Sequence, residues 1–283
     1  MTSQLHDVPI EVAELDEVHA ADPADAAPDS NRNSELPPGL RLIKSNAGLF
    51  ITPIIVIGGA IALYLYNQSA DKIFQDERAL DWDRNLRPQL EQHLSLTLWS
   101  TVFTILMAVP LGILLTRPKY KRAGIPILAV ATSGQAIPAF GLLVLAYAWL
   151  GSSPWTTIWA LSLFTLLPVL RNTMVGLEQV DQNVIEAGRG MGLTKRQALR
   201  QIELPLAIPV ILAGVRTALV ITVGMASLAF LIGGGGLGTT ISAGLKLSRD
   251  LVLITGAVMT ALVALSVDWI AALIEKTLRP SGL

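Results

Sequence analysis

"EAGRGMGLTKRQALRQIELP", residues 186–205, is a polar, glycine-rich stretch in a chain that is otherwise mostly apolar. Asp181, five residues before it, suits a helix N-cap, so a short helix is predicted through Glu186 and Ala187. Gly188, Gly190 and Gly192 lack side chains and tolerate positive φ, and we expect them to end that helix. The stretch therefore begins with a predicted helix and a sharp turn.

The second half of this stretch predicts another short helix. Thr194, followed three residues later by Gln197, forms a capping-box pattern. Leu199 and Ile202 can face the rest of the protein, and Pro205 opens the next apolar segment where a missing N–H costs little. We expect two short helices at an angle, with small residues at the bend that let another surface approach the backbone. This stretch with its two helices is called the elbow below.

The segments around the elbow are long and apolar. Hydrophobic residues make up 52% of the 283-residue chain and charged residues 15%, with a mean hydropathy of +0.53; soluble domains carry about 25% charge. A membrane-spanning helix needs about 20 apolar residues. An all-α, polytopic membrane protein is predicted, with six spans near 48–66, 94–116, 125–149, 154–170, 206–232 and 251–274.

Basic residues indicate the orientation in the membrane. The connections on the elbow side carry thirteen Lys and Arg residues, and those on the other side carry six. Because Lys and Arg concentrate in cytoplasmic loops, the elbow and both termini are predicted to be cytoplasmic. The protein is thus expected in a bacterial plasma (inner) membrane, with N-in/C-in topology.

The chain divides by composition into three parts. Residues 1–40 are expected to be a disordered acidic tail, either a spacer or a regulatory segment. Residues 45–93 hold the first span and an extracytoplasmic amphipathic segment, and 94–276 hold a transmembrane core with a cytoplasmic loop at 171–205. The chain has no cysteine, and its three histidines show no metal-ligand spacing, so we expect no catalytic centre and no metal site.

A possible translocation path lies in the third span. Gln135 is about ten residues into that span, near the bilayer midplane at about 1.5 Å per residue. Pro138 should break the helix there, and broken helices at membrane depth line cavities or are buried in protein. Ser133, Gly134, Gln135 and Pro138 are therefore candidates for the path; a simple packing kink is the alternative.

Two other features stand out in the later spans. Arg216 and Asp268 are charges inside predicted spans at similar depths, so we hypothesise that they pair and lock the last two spans together. Separate partners for each charge are the alternative. The glycine-rich run is not expected to be helical and is either a hinge or gate on the outer side or a flexible turn; its residues are Gly233, Gly234, Gly235, Gly236 and Gly238.

The elbow resembles the signature loop of permease subunits of binding-protein-dependent ABC importers of the type I fold. Glu186-Ala187-Gly188, three residues, Gly192, nine residues and Ile202-Glu203-Leu204-Pro205 match EAA-x3-G-x9-I-x-L-P, with glycine at 188 where the family usually has alanine. The resemblance implies a coupling helix that seats in a separate ATP-binding subunit, at Glu186, Ala187, Gly188, Arg189, Gly190, Met191, Gly192 and Leu193.

Other stretches resemble permeases for osmoprotectants such as glycine betaine, choline and carnitine. They are "QAIPAFGLLVL" (135–145), "LLPVLRNTMVGLEQVDQNVIEAGRGMG" (166–192), "LPLAIPVILAGVRTA" (204–218) and "FLIGGGGLGTTISAGL" (230–245), and the similarity covers roughly 90–275. The resemblance implies two ATP-binding subunits, a second permease copy or paralogue, and a separate extracytoplasmic substrate-binding protein.

The chain has no phosphate-binding loop of the G-x-x-x-x-G-K-[ST] type, so ATP hydrolysis is expected in the partner, which would bind ATP and Mg. No cofactor in this chain and no nucleic-acid partner are expected. Two alternatives stay open: an ABC permease for another small nutrient such as methionine, and an ion-coupled secondary transporter. The latter would show midplane carboxylates and an inverted repeat.

Overall fold

The computed structural model describes the backbone of residues 38–278 and the side chains of residues 49–278. All contacts below lie within the unit Leu49–Leu283. Apart from its last residues, the predicted acidic tail, 1–40, lies outside the described residues.

Residues 38–278 form an all-α structure without strands, which confirms the predicted fold class. The helices are α1 (Pro38–Ser69), α2 (Phe74–Ala79), α3 (Arg87–Thr116), α4 (Lys121–Gln135), α5 (Ala139–Leu150), α6 (Pro154–Phe164), α7 (Leu166–Glu178), α8 (Gln182–Gly190), α9 (Lys195–Ala198), α10 (Leu204–Ala226), α11 (Gly238–Leu247) and α12 (Asp250–Leu278). π-helical turns at Trp82–Leu86 and Leu199–Glu203 lead into α3 and α10, and a 3-10 turn at Ala229–Ile232 follows α10.

The described residues provide up to six membrane spans. Four stretches are long and apolar enough to cross a bilayer alone: Leu49–Ser69, Trp82–Thr116, Lys195–Ala226 and Asp250–Leu278. Two more spans are bent pairs, α4 with α5 at 97° and α6 with α7 at 41°. Each bent pair counted as one span gives the predicted total of six.

The second span begins earlier than predicted. The helix that contains the predicted span 94–116 starts at Arg87 and continues directly from the π-turn. Leu86 and His93 are both buried, so this end of the outer segment belongs to the packed body. The helix therefore extends seven residues beyond the predicted span 94–116 at its outer end.

The fifth span ends earlier than predicted. We expected it to reach residue 232, but α10 ends at Ala226. Beyond it the chain turns inward: Ala229 packs with Leu96 and Ile158, and Ile232 joins a second buried cluster with Leu143. Because the chain turns here to bury these two side chains, the helix does not continue.

The centre of the core lies between α3, α7 and α10. Small residues bring these helices together, as is usual in membranes: a Cβ added at Gly112 would lie 2.7 Å from Thr173 Cγ2, and one at Gly214 would lie 2.6 Å from Asn172 Cβ. The buried cluster at this centre consists of Ala108, Leu115, Val169, Leu170, Met174 and Ala218. The closely packed helices carry the elbow at their ends.

Candidate functional site

The first half of the elbow is α8, and its start matches the sequence prediction. Asp181 Oδ1 accepts a hydrogen bond from Asn183 N at 2.8 Å, as an N-cap should. The prediction that the three glycines end this helix was only partly right. Gly188 and Gly190 lie inside α8, and Gly192 alone among the three has a positive φ, of 96°.

Gly188 holds the two halves of the elbow together. It is buried, and a Cβ at this position would overlap Ile202 Cδ1 and come within 3.3 Å of Leu193 Cδ1. Leu193 N also donates to Gly188 O at 3.2 Å. The glycine therefore lies at a close packing contact within the elbow and does not end the helix.

The second half of the elbow is capped as predicted. Thr194 Oγ1 accepts from Gln197 N at 3.3 Å, and Gln197 Oε1 accepts from Thr194 N at 2.8 Å. α9 then passes through the π-turn Leu199–Glu203 into α10 without a break. We expected a separate short helix before the fifth span; the structure instead joins the elbow to that span.

The outer surface of the elbow is exposed. Glu186, Ala187, Arg189 and Gly190 are all exposed, and Leu193 is half-buried. The Met191 side chain is 81% exposed at the tip. The eight predicted coupling residues thus form one continuous region, with an apolar side chain presented outward.

A partly buried ion pair that sequence reasoning missed connects the elbow to α3. Arg117 Nη2 donates to Glu203 Oε2 at 2.6 Å, and Arg117 Nη1 donates to Glu203 Oε1 at 3.2 Å. Glu203 is 7% exposed. The two residues are 86 positions apart, so no local pattern could have paired them.

The third span breaks where Pro138 predicted. α4 ends at Gln135, and Pro138 is the N-cap residue of α5. Gly134 and Gln135 line a cavity of about 450 Å³ whose wall carries no charged side chain. Ser133 is exposed, but its Oγ donates to Ala129 O at 3.0 Å within its own helix. Two of the four candidate path residues thus share one cavity.

The two charges within the last spans are in contact. Arg216 Nε donates to Asp268 Oδ1 at 2.5 Å, and Arg216 Nη2 donates to Asp268 Oδ2 at 2.8 Å. Glu275, which the sequence analysis did not consider, lies 3.7 Å from Arg216 Nη1. The pair therefore joins α10 to α12 as hypothesised, and its structural role stays a prediction.

The glycine run folds against the outer ends of α3 and α6. Gly233, Gly235 and Gly236 have positive φ values, so the run is not helical, as expected, whereas Gly238 begins α11. Gln92 Oε1 accepts from Gly236 N at 3.1 Å. A Cβ at Gly235 would overlap Gln92, so the run is tightly packed. Its role as a hinge or gate stays a prediction.

A second ion pair that the sequence analysis missed lies on the outer side. Arg249 Nε donates to Asp76 Oδ1 at 2.9 Å, and Asp76 is fully buried. The hydrogen bond from Arg249 lowers the pKa of Asp76 below its ordinary 3.8. Nearby, Gln89 Oε1 accepts from Thr240 Oγ1 at 2.6 Å. These contacts tie α2 and α3 to α11 and the start of α12.

Comparison with known proteins identifies the family. Residues 108–280 match the family described as "Binding-protein-dependent transport system inner membrane component". The choline transport system permease protein OpuBB of Bacillus subtilis is 40% identical over 192 residues, which cover 68% of this chain and 88% of that protein. The osmoprotectant import permease protein OsmY of Salmonella typhimurium is 43% identical over 190 residues, or 67% and 80%.

A solved structure of the MetNI methionine ABC transporter in an inward-facing conformation has the same fold. Its matching chain has a TM-score of 0.61 and 23% identity, over 69% of this chain and 96% of that one. The chain therefore belongs to the family of binding-protein-dependent transport system inner membrane components, and it is a multi-span permease subunit of an ABC transporter.

Proposed function

We propose that this chain forms the membrane path of an ATP-driven importer for an osmoprotectant or related quaternary amine, such as glycine betaine, choline or carnitine. A separate extracytoplasmic binding protein delivers the substrate. The observation that carries this proposal is 40% identity over about two thirds of the chain to permeases named for choline, for glycine betaine and for carnitine.

The elbow is the seat of the ATP-binding subunit. Val184 and Met191 expose 44% and 81% of their surface beside the charged Glu186, and an exposed apolar surface with a polar rim is typical of a docking site. Two ATP-binding subunits, each receiving one elbow, bind ATP and Mg and carry out hydrolysis. Hydrolysis is assigned to those subunits because the sequence of this chain has no phosphate-binding loop of the G-x-x-x-x-G-K-[ST] type.

A second permease, either a copy or a paralogue, completes the path. The break between α4 and α5 leaves Pro138 exposed, and non-helical backbone at membrane depth needs protein or a water-filled cavity around it. Trp149 and Leu150, at the end of α5, are 80% and 64% exposed. A second permease that covers this exposed surface encloses the cavity beside Gly134 and Gln135. The uncharged wall of that cavity suits a substrate that must be released rather than retained.

The proposal is tested by uptake into proteoliposomes. The chain is purified with its ATP-binding subunit, reconstituted and supplied with binding protein and labelled glycine betaine, choline, carnitine or methionine. ATP-dependent uptake of a quaternary amine is expected. Uptake of methionine alone would favour the permease for another nutrient, and uptake driven by an ion gradient without ATP would contradict the proposal.

A further inference from the structure

The Arg117–Glu203 pair bridges a cleft on the cytoplasmic side, between the elbow and the end of α3. A cleft of about 700 Å³ lies between α8, α9 and the cytoplasmic ends of α3 and α7. Arg117 caps the end of α3, and Glu203 ends the π-turn that leads into α10. Both residues line the cleft, and their two hydrogen bonds connect its sides.

Glu203 is one residue from the packing contact that holds the elbow. Its neighbour Ile202 packs on Gly188 of α8. A displacement of α8 therefore reaches Ile202 by direct contact, and the peptide bond passes it to Glu203. π-helical turns are frequent at functional sites, and this one places the carboxylate opposite Arg117.

The chemistry of this pair differs from that of the apolar contacts around it. Val109 and Ile113 of α3 and Leu199 beyond α9 all pack against one buried apolar cluster, but such contacts are not directional. A bidentate arginine–carboxylate pair fixes distance and orientation together. Glu203 is also buried, so loss of Arg117 would leave its charge uncompensated.

We propose that Arg117 and Glu203 are positioning residues that transmit displacement of the elbow to α3, so that nucleotide-driven motion reaches the second span as well as the fifth. This proposal rests on the proposed function, because the displacement comes from the ATP-binding subunit. α10 receives the motion through the continuous chain, and this pair adds a directional connection to α3 beside the apolar contacts between the helices.

The first test measures substrate transported per ATP hydrolysed by the reconstituted complex. Glu203→Gln keeps the shape and removes the charge, and Arg117→Lys keeps the charge and removes the bidentate geometry. We expect both variants to retain the bound ATP-binding subunit and basal hydrolysis, while transport per ATP falls about tenfold, within the usual range of coupling effects. The Arg117→Glu/Glu203→Arg double variant should recover most of that ratio.

A matched control is the exposed pair across the same cleft. Lys121 Nζ lies 3.8 Å from Glu178 Oε1, with 69% and 46% of these side chains exposed. Lys121→Met and Glu178→Gln should leave the ratio unchanged. Wild-type ratios in Glu203→Gln and Arg117→Lys would overturn the proposal, as would equal losses in the control variants.

A second readout does not depend on the substrate. The chain contains no cysteine, so cysteines introduced at the exposed Lys119 and Gln201 can be spin-labelled without background. In the wild-type complex the distance between the labels should stay narrow and constant when ATP is bound. In Glu203→Gln it should broaden, and an unchanged distribution would overturn the proposal. Absence of wild-type uptake would instead count against the proposed function alone.

Discussion

Gly188 of α8 and Ile202 of the turn before α10 are packed so closely that a Cβ at position 188 would overlap Ile202 Cδ1. This contact closes the elbow on itself. At this position, where the type I permease motif usually has alanine, the chain carries glycine, and the isoleucine δ-methyl group occupies the space beside it.

Gly188→Ala is therefore expected to lower the stability of the elbow by about 1 kcal/mol through overpacking, and to reduce uptake. Ile202→Val removes the δ-methyl group, so the double variant Gly188→Ala/Ile202→Val should recover both the lost stability and the lost uptake. Gly190→Ala is the control, because no described atom outside its local helix lies within 4 Å of a Cβ there. Thermal unfolding and uptake of the purified complex measure the effect, and a double variant no better than Gly188→Ala would contradict it.

Replacement of Asp268 by alanine should destabilise the contact between α10 and α12. We expect a loss of about 1 kcal/mol, because Arg216 is partly exposed and can still reach Glu275. Arg216→Met/Asp268→Leu should recover the loss, since an apolar pair can replace an ion pair. Unfolding in detergent measures stability. Uptake per folded molecule should not change, and a specific loss of uptake would contradict a structural role.

Acid should weaken the outer contact between Asp76 and Arg249. Because Arg249 lowers the pKa of Asp76 in the folded state, the pair stabilises the fold fully above the ordinary value of 3.8. That stability is lost as the pH falls through the lower, folded-state pKa. Asp76→Asn should lower the unfolding temperature at pH 7 and remove this part of the acid dependence. If the stability of Asp76→Asn depended on pH as that of the wild type does, the assignment of this acid dependence to Asp76 would be refuted.

Alanine at Gly235 should destabilise the outer loop. Its φ of 75° disfavours any side chain, and the added Cβ would overlap Gln92, so we expect a loss of about 1–3 kcal/mol. Gly224→Ala is the control, because position 224 is helical and no described atom outside its local helix lies within 4 Å of a Cβ there. Hydrogen exchange of residues 233–238 measures the effect. Equal exchange in the two variants would show that the loop is not held by this packing.

The sequence predicted features that depend on local patterns. Long apolar segments gave the six spans, Pro138 marked the break in the third, and Asp181 and Thr194 marked the helix caps of the elbow. Each signal arises from the conformation of a few neighbouring residues or from one hydrophobic run, so it can be read without tertiary structure.

The features that the sequence did not predict depend on distant residues. Arg117 and Glu203 are 86 positions apart, and Asp76 and Arg249 are 173 apart. The early end of α10 depends on a buried site for Ile232. Gly188 resembled a helix terminator until its contact with Ile202 was known. Burial and pairing of this kind are set by packing between helices.

The most direct test of the account is co-purification of the ATP-binding subunit with elbow variants. Glu186→Arg reverses an exposed charge, and Gly192→Val places a β-branched residue at a φ of 96°. We expect both variants to lose the bound subunit and ATP-dependent uptake, whereas Gln201→Arg, at an exposed position of the π-turn outside the eight coupling residues, should retain both. Stoichiometric binding and wild-type uptake in Glu186→Arg and Gly192→Val would contradict the account.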